Sequence, residues 1–432
     1  MFIEIFCQFV ERVGFKRHVF RLQVSHLVLF GFKAKKKRII AIYRNQINND
    51  DHFWLIVRDG VIILSRRLKE CQEYMTPEER IIGLIAHKKL DRIPVFPFVS
   101  AASAQVRRLD YGEYARKPDI FLRCQIEAQQ LIGYDAITAM PDLCVEAQAF
   151  GAKIVYPSDN AAYPDPFNPV LKSPDDYKDI GKLFTWDRAE RMNNQLEVIR
   201  TIRKELPGLM VGGFTIGPMG LISRLRNINE LVRDFVHHPD LLHEACEIIT
   251  EIQLEYVEKQ LEAGARTIMV PVVLAEREVM SKEMWEELDA PYQKRIADFV
   301  AKKGGIYAVH ICGRDPYFDL LIKWLHPLLI QNAHLPDGIK TEEEMIEKYS
   351  RKLLFLGYLS VNQLAWMNPT EIMNECKREI EVFGKARSGY FLGASCEYPP
   401  YAPLYNAMAV VKAARVYGAN FKAGEGANCE EE

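Results

Sequence analysis

The chain has 432 residues, 48% of them hydrophobic, which is enough for one large buried core and an appendage. Its formal charge is only −2, from 56 Lys and Arg against 58 Asp and Glu, so composition gives no general case for nucleic-acid binding. No run of eighteen apolar residues occurs, and the nine irregularly spaced cysteines do not read as a disulfide framework; a reducing, cytoplasmic setting with no membrane span is expected.

The charge is unevenly spread. Residues 1–74 hold 14 Lys and Arg against 7 Asp and Glu, and all 22 prolines come after them. This stretch contains Lys33-Ala34-Lys35-Lys36-Lys37-Arg38. One reading is a basic arm for nucleic acid or membrane. It is not a clean signal peptide, because Glu4 and Glu11 interrupt the apolar start and no small-residue cleavage site follows. The favoured reading is an atypical basic leader outside the main domain, left by a start site placed too early. Met75-Thr76-Pro77-Glu78-Glu79-Arg80 reads as a protein start: Thr76 can cap a helix, Pro77 suits its first turn, and Glu79 completes a capping box.

From Met75 the chain alternates short apolar runs with helical patterns. The runs are 95–99, 136–138, 210–213, 267–270, 306–309, 328–331, 353–357 and 390–392. Amphipathic segments at 120–132, 189–206, 241–263, 283–302 and 369–383 predict helices. Eight strands separated mainly by helices predict an α/β fold with a parallel sheet closed into a (β/α)8 TIM barrel over 75–421. An open doubly wound sheet usually has fewer strands and a Gly-rich dinucleotide turn; no Gly-X-Gly-X-X-Gly or phosphate-loop sequence is present. Residues 422–432 read as an acidic flexible tail, with Cys429 inside it.

Candidate chemistry gathers at the strand ends. His310 and Cys312 follow the fifth run, and residues two apart on an extended chain point to one side. Both types ligate zinc, and Cys396, just past the eighth run, is the best third ligand. Barrel active sites sit at the C-terminal ends of the strands, so all three fall on one rim. Three protein ligands with an open position is the pattern of a catalytic zinc site. Glu276 and Glu278 follow the fourth run, and Glu276 is a candidate for an extra carboxylate or a fourth zinc contact. Asp142 and Glu146 follow the second run, and an i, i+4 pair on a helix shares one face, so they can line the pocket; a helix N-terminal charge pair explains them equally well. His326, His334 and the pair His237-His238 read as hydrogen-bonded or surface groups. Cys7, Cys71, Cys124, Cys144, Cys246 and Cys376 read as core or surface residues.

Two segments carry a family resemblance. His310-Ile311-Cys312-Gly313 and, some eighty residues on, Gly393-Ala394-Ser395-Cys396-Glu397-Tyr398-Pro399 resemble the zinc signature of the cobalamin-dependent methyltransferases. These belong to the uroporphyrinogen decarboxylase superfamily, of which the coenzyme M methyltransferases are members. The start at Met75, followed by Asp91-Arg92-Ile93-Pro94-Val95, resembles the usual start of that superfamily. The resemblance spans about 75–421 and implies a TIM barrel and a bound zinc. It also implies methyl transfer between a corrinoid and a thiol or methylated small molecule. No corrinoid-binding module is evident, so the corrinoid would come free or on a partner protein. The family commonly has an Asp near Val272, which this chain lacks. Uroporphyrinogen decarboxylase itself grips substrate carboxylates with arginines after the first strand. Here Phe96-Pro97-Phe98-Val99-Ser100-Ala101-Ala102-Ser103-Ala104 has none, and the first is Arg107. Tetrapyrrole decarboxylation is therefore the alternative reading, together with a non-catalytic corrinoid- or porphyrin-binding barrel.

Overall fold

Eight short parallel strands organise residues Cys71–Glu432, one of two units into which the chain divides. The structure is a computed structural model. It describes residues 73–158 and 160–425, and the backbone alone of Gly426–Ala427 and of five strands between Phe20 and Ser65. The basic stretch 34–38, Cys7, Cys71, Cys429 and residues 428–432 lie outside the described residues. The other unit, Met1–Glu70, has five antiparallel strands paired in chain order: Phe20–Val24, Leu27–Lys33, Ile39–Asn45, His52–Arg58 and Val61–Ser65.

The barrel strands are β1 (Val95–Phe96), β2 (Ala136–Thr138), β3 (Met210–Phe214) and β4 (Thr267–Pro271). They continue with β5 (Ile306–Ile311), β6 (Leu329–Asn332), β7 (Leu354–Leu356) and β8 (Tyr390–Gly393). Their hydrogen-bonded order is β1-β8-β7-β6-β5-β4-β3-β2, with every ladder parallel. Strands covered on both sides read as continuous apolar runs, and that is why eight short runs located them. The helices between strands include α1 (Pro77–Ile85), α2 (Pro118–Ile132), α3 (Glu190–Glu205), α4 (Pro239–Glu262), α5 (Ala290–Lys302) and α6 (Pro369–Phe383). Thr76 and Glu79 form the expected capping box of α1. The buried Ile81 of this helix, with Ile85, lines the apolar cavity at the N-terminal end of the barrel.

The last seam, between β1 and β2, closes differently. Its backbone link is one hydrogen bond, from the Asp135 N–H to the Val95 carbonyl at 2.9 Å. The Asp135 carboxylate supplies the return bond, accepting the Val95 N–H at 2.7 Å. That carboxylate is fully buried and also accepts from Arg80 and Arg92. Asp91 takes two further bonds from Arg80, at 2.7 and 2.8 Å. Burial works against the Asp91 charge, but the Arg80 guanidinium and the Met75 N–H outweigh it and hold the carboxyl down at about 2. Asp91-Arg92, quoted above as a superfamily-like start, thus belongs to a buried charge network at the N-terminal ends of the strands, where barrel residues serve stability. Glu73 joins it from outside through Arg92 and Arg415.

Two expected elements differ. The first apolar run extends to 99, but Phe98 has φ of 52° and turns the chain out of the sheet after Phe96. The helix expected over 283–302 is two helices, Lys282–Leu288 and α5, broken at Asp289. Pro291 has no N–H to donate to a preceding turn, and the Asp289 carboxylate instead accepts from the Trp285 indole at 3.0 Å.

Candidate metal centre

His310 lies in β5, and Cys312 directly follows that strand at the C-terminal rim. Cys396 follows β8 at the same rim. The histidine ring nitrogen and the two sulfurs lie within 4.8 Å of one another. His310 is buried, Cys396 is half-buried and Cys312 is exposed, so the cluster opens toward solvent through Cys312. At about 2.3 Å to sulfur and about 2.0–2.1 Å to nitrogen, tetrahedral zinc sets a sulfur and a nitrogen ligand roughly 3.5–3.6 Å apart. Cys396 Sγ stands 3.6 Å from His310 Nε2. The donor set and its spacing therefore fit zinc.

The ring is aimed by a neighbour in the ladder. Gln331 of β6 pairs in register with His310 and is fully buried. Its amide nitrogen donates to the Ala394 carbonyl at 2.8 Å, so its oxygen must face the ring. That oxygen lies 2.8 Å from His310 Nδ1, which therefore carries the proton. The tautomer leaves the Nε2 lone pair toward the two sulfurs. A metal-binding histidine held this way has its other nitrogen anchored by a protein acceptor. Gln331 thus joins the strand of His310 to the segment just before Cys396. Gly357, with φ of 71°, ends β7 beside that segment; a β-carbon there would stand 2.0 Å from the Ala394 oxygen. Only glycine lets the two loops pass this closely. On the other side the Tyr398 N–H donates to the Phe98 carbonyl at 3.1 Å, which the positive φ of Phe98 turns toward it.

The two thiols differ electrostatically. The Cys396 thiol donates toward Cys312 and, with the His310 ring beside it, outweighs burial and pulls the Cys312 thiol down to about 4. The same bond, and burial, push Cys396 well up. Between the two sulfurs Cys396 is thus the donor and Cys312 the acceptor.

Two carboxylates flank the cluster. Glu276, on the loop after β4, is 9% exposed, and its Oε2 has no hydrogen-bond partner among the described residues. Burial and the neighbouring Cys312 charge raise its pKa. A β-carbon on Gly313 would lie 1.1 Å from that oxygen, so the glycine after Cys312 makes room for the carboxylate. Glu276 is not one of the three clustered ligands. Glu397 follows Cys396 and accepts the Ala101 N–H at 3.0 Å. Burial pushes it up to about 7, against the pull of that N–H and with Asp142 adding repulsion.

Asp142 and Glu146 do not share a helix face, because the helix spans Val145–Ala149 and Asp142 precedes it. Asp142 is buried and ion-paired with Arg191. Glu146 accepts the Ile216 N–H at 2.8 Å, the Thr215 hydroxyl and the Gln253 amide. Burial pushes its carboxyl up to about 7 despite these donors. Both residues line one small cavity with Met140, Phe214 and Tyr256, apart from the three clustered ligands. Cys124, Cys144, Cys246 and Cys376 are buried, and burial raises each thiol. His334 is exposed, and His326 ends a helix with φ of 43°.

Sequence reasoning gave no role to Gln331 or Glu397. Gln331 was visible only as a polar residue closing an apolar run, and Glu397 as the neighbour of a candidate ligand.

Comparison with known proteins agrees with the barrel fold. A family model described as uroporphyrinogen decarboxylase matches residues 76–417. The chain is 23% identical over 354 residues to a methylcobamide:CoM methyltransferase MtbA of Methanosarcina acetivorans, covering 79% of this chain and 98% of that one. It is 21% identical over 362 residues to a uroporphyrinogen decarboxylase of Anaeromyxobacter dehalogenans, covering 78% of this chain and 99% of the relative. Among solved structures, a methyltransferase from Methanosarcina mazei superposes with a TM-score of 0.63 at 21% identity, over 79% of this chain and 98% of that one.

Proposed function

Because the chain belongs to the uroporphyrinogen decarboxylase family, we propose that it is a zinc-dependent methyltransferase acting between a corrinoid and a thiol or methylated small molecule. The observation that carries the reading is one imidazole and two thiols converging at the catalytic rim of the barrel, 4.8 Å apart at most. The relatives named for methyl transfer from methylcobamide support it. His310, Cys312 and Cys396 would hold the metal through Nε2 and the two sulfurs. When bound there, zinc lowers the pKa of a substrate thiol and favours its thiolate.

The chain's own residues provide position and surroundings. Gln331 holds the His310 ring in one tautomer. The Val272 N–H donates to the His310 carbonyl at 2.9 Å and fixes the backbone behind the ring. Val272, Leu274, Phe98 and Tyr398 are buried on the loops that carry the cluster and give it an apolar backing on the side away from exposed Cys312. Exposure of Cys312 leaves the approach for a corrinoid, brought free or by a partner protein, whose cobalt chemistry belongs to the cofactor. A corrinoid at this opening would supply or take the methyl group through its cobalt, while His310, Cys312 and Cys396 would hold the sulfur partner in place through zinc. Reduced thiols fit a cytoplasmic setting. Among the described residues no helix is long and apolar enough to cross a membrane.

The test is the metal content of the purified full-length chain, combined with methyl transfer from methylcobalamin to a thiol panel and to cob(I)alamin from methylated donors. About one zinc per chain with transfer in either direction supports the reading. A zinc-free protein whose activity is insensitive to chelators would refute it.

A further inference from the structure

The mouth around the three clustered ligands is acidic. Glu276 lies against the Cys312 side, nine-tenths buried, with an oxygen that meets no protein donor among the described residues. Glu397 lies beside Cys396, pinned through one oxygen to Ala101. Neither carboxylate has an ion-pair partner within 4.0 Å among the described residues. Basic side chains of the surrounding loops are otherwise engaged: Arg191 with Asp142, and Arg277 and Lys282 with Asp337. The segment after β1 has no Lys or Arg before Arg107, and Arg107 pairs with Glu127. Arg314, next to Gly313, and Arg108 are exposed with no ion pair among the described residues, and Arg224 on the helix after β3 has a buried Nε without a partner there.

A buried carboxylate oxygen without a donor is costly unless a ligand supplies one. A ligand bearing a cation would satisfy it, and an anion would add repulsion. We propose that the small molecule taken at this site is cationic: an aminothiol or its S-methyl derivative, with sulfur toward the His310–Cys312–Cys396 triad and its ammonium group against Glu276 and Glu397. This rests on the methyltransferase reading above and narrows its substrate class. Glu276 is then a binding residue for the substrate and not a fourth metal ligand, which keeps the open position for sulfur.

The experiment compares three thiols of equal length on the zinc-loaded full chain: 2-aminoethanethiol, 2-mercaptoethanol and 2-mercaptoethanesulfonate. Binding is followed by calorimetry near pH 7.5, where the ammonium is charged, and methyl transfer from methylcobalamin is measured in parallel. The aminothiol is expected to bind about 10–100-fold more tightly than the neutral thiol, the range of a charge-assisted hydrogen bond, and the sulfonate more weakly still. Glu276→Gln should erase most of that preference while zinc content and mercaptoethanol binding hold. Gly313→Ala, which displaces the same carboxylate, should do likewise if Glu276→Gln folds poorly. Glu397→Gln should compress the preference further. Tighter binding of the sulfonate overturns the proposal, and its loss in Arg314→Ala would then assign that arginine as the anion site. Zinc loss in Glu276→Gln overturns it too, because the residue would be a ligand. Absence of binding by all three thiols also overturns it. Sulfonate methylation with no preference for the aminothiol leaves the methyltransferase reading intact and sinks this one. Preferred aminothiol binding without any methyl transfer does the reverse.

Discussion

Replacing Gln331 by Leu keeps the volume and removes both of its hydrogen bonds. The residue is fully buried, so the His310 Nδ1–H and the Ala394 carbonyl would each lose a partner that water cannot replace. Each orphaned group costs about 1–3 kcal/mol, roughly 2–6 kcal/mol of stability together. The ring would also lose the bond that fixes its tautomer, and such changes typically weaken metal binding about 10–100-fold. Gln331→Glu separates the two effects. A carboxylate still accepts from Nδ1–H but cannot donate to Ala394. This variant should lose about 1–3 kcal/mol of stability and bind zinc at least as well as the parent. The assays are competition with a chromophoric chelator for zinc and chemical denaturation of the metal-free protein. The reasoning fails if Gln331→Leu binds zinc like the parent, or if Gln331→Glu weakens zinc as much as Leu does.

Cys312→Ala and Cys396→Ala should each lower zinc affinity by at least about 10–100-fold, since they remove a ligand and not merely its support. Cys376→Ala, in the buried face of α6, should keep its zinc; full metal retention in Cys396→Ala would refute the triad. Incubation with uroporphyrinogen should yield no coproporphyrinogen, because the segment after β1 has no Lys or Arg before Arg107, far short of the cations eight carboxylates need. Glu146 and Asp289 are buried and both are pushed up to about 7, from ordinary values of 4.5 and 3.8. Between those limits the folded state binds protons that the unfolded state has released. Stability from these two groups is thus present below about pH 4 and lost as pH rises through 7, on the order of 3–4 kcal/mol each. Denaturation of Asp289→Asn across pH 4–8 should show a shallower fall than the parent, and an unchanged slope would refute the assignment. Finally, a chain starting at Cys71 is expected to melt like the barrel of the full chain. Glu73→Ala, which breaks the links to Arg92 and Arg415, should cost about 1–2 kcal/mol.

The barrel was legible because its strands are short, apolar on both faces and spaced by helices, so the apolar runs marked all but the first within a residue or two. Where the reading failed, a backbone detail decided the outcome. Pro291 sits inside a pattern that stays amphipathic across the break, so the pattern predicted one helix where Asp289 ends the first of two. Phe98 is as apolar as its neighbours, and only its left-handed backbone takes it out of β1. The i, i+4 spacing of Asp142 and Glu146 implied a shared helix face, but the helix starts after Asp142.

The site shows the same division. The three clustered ligands were accessible because their positions follow from strand order, which a barrel converts into a common rim. The residues that tune them depend on which strands end up adjacent, and on which loop folds over which. Gln331 acquires its role from being in register with His310 on one side and from the Ala394 carbonyl on the other, 63 residues away in the chain. Glu276 reaches the cluster only because the residue after Cys312 has no side chain. The rim loops that carry Glu276 and Glu397 are not part of the ladder, so the charge at the mouth can change without moving the strand that holds His310. If the three side chains hold zinc as proposed, they set the reaction, whereas the neighbouring carboxylates set which molecule undergoes it. A relative with the same His and Cys residues but a cation in place of Glu276 should take an anionic thiol, and exchanging that single residue should move the preference.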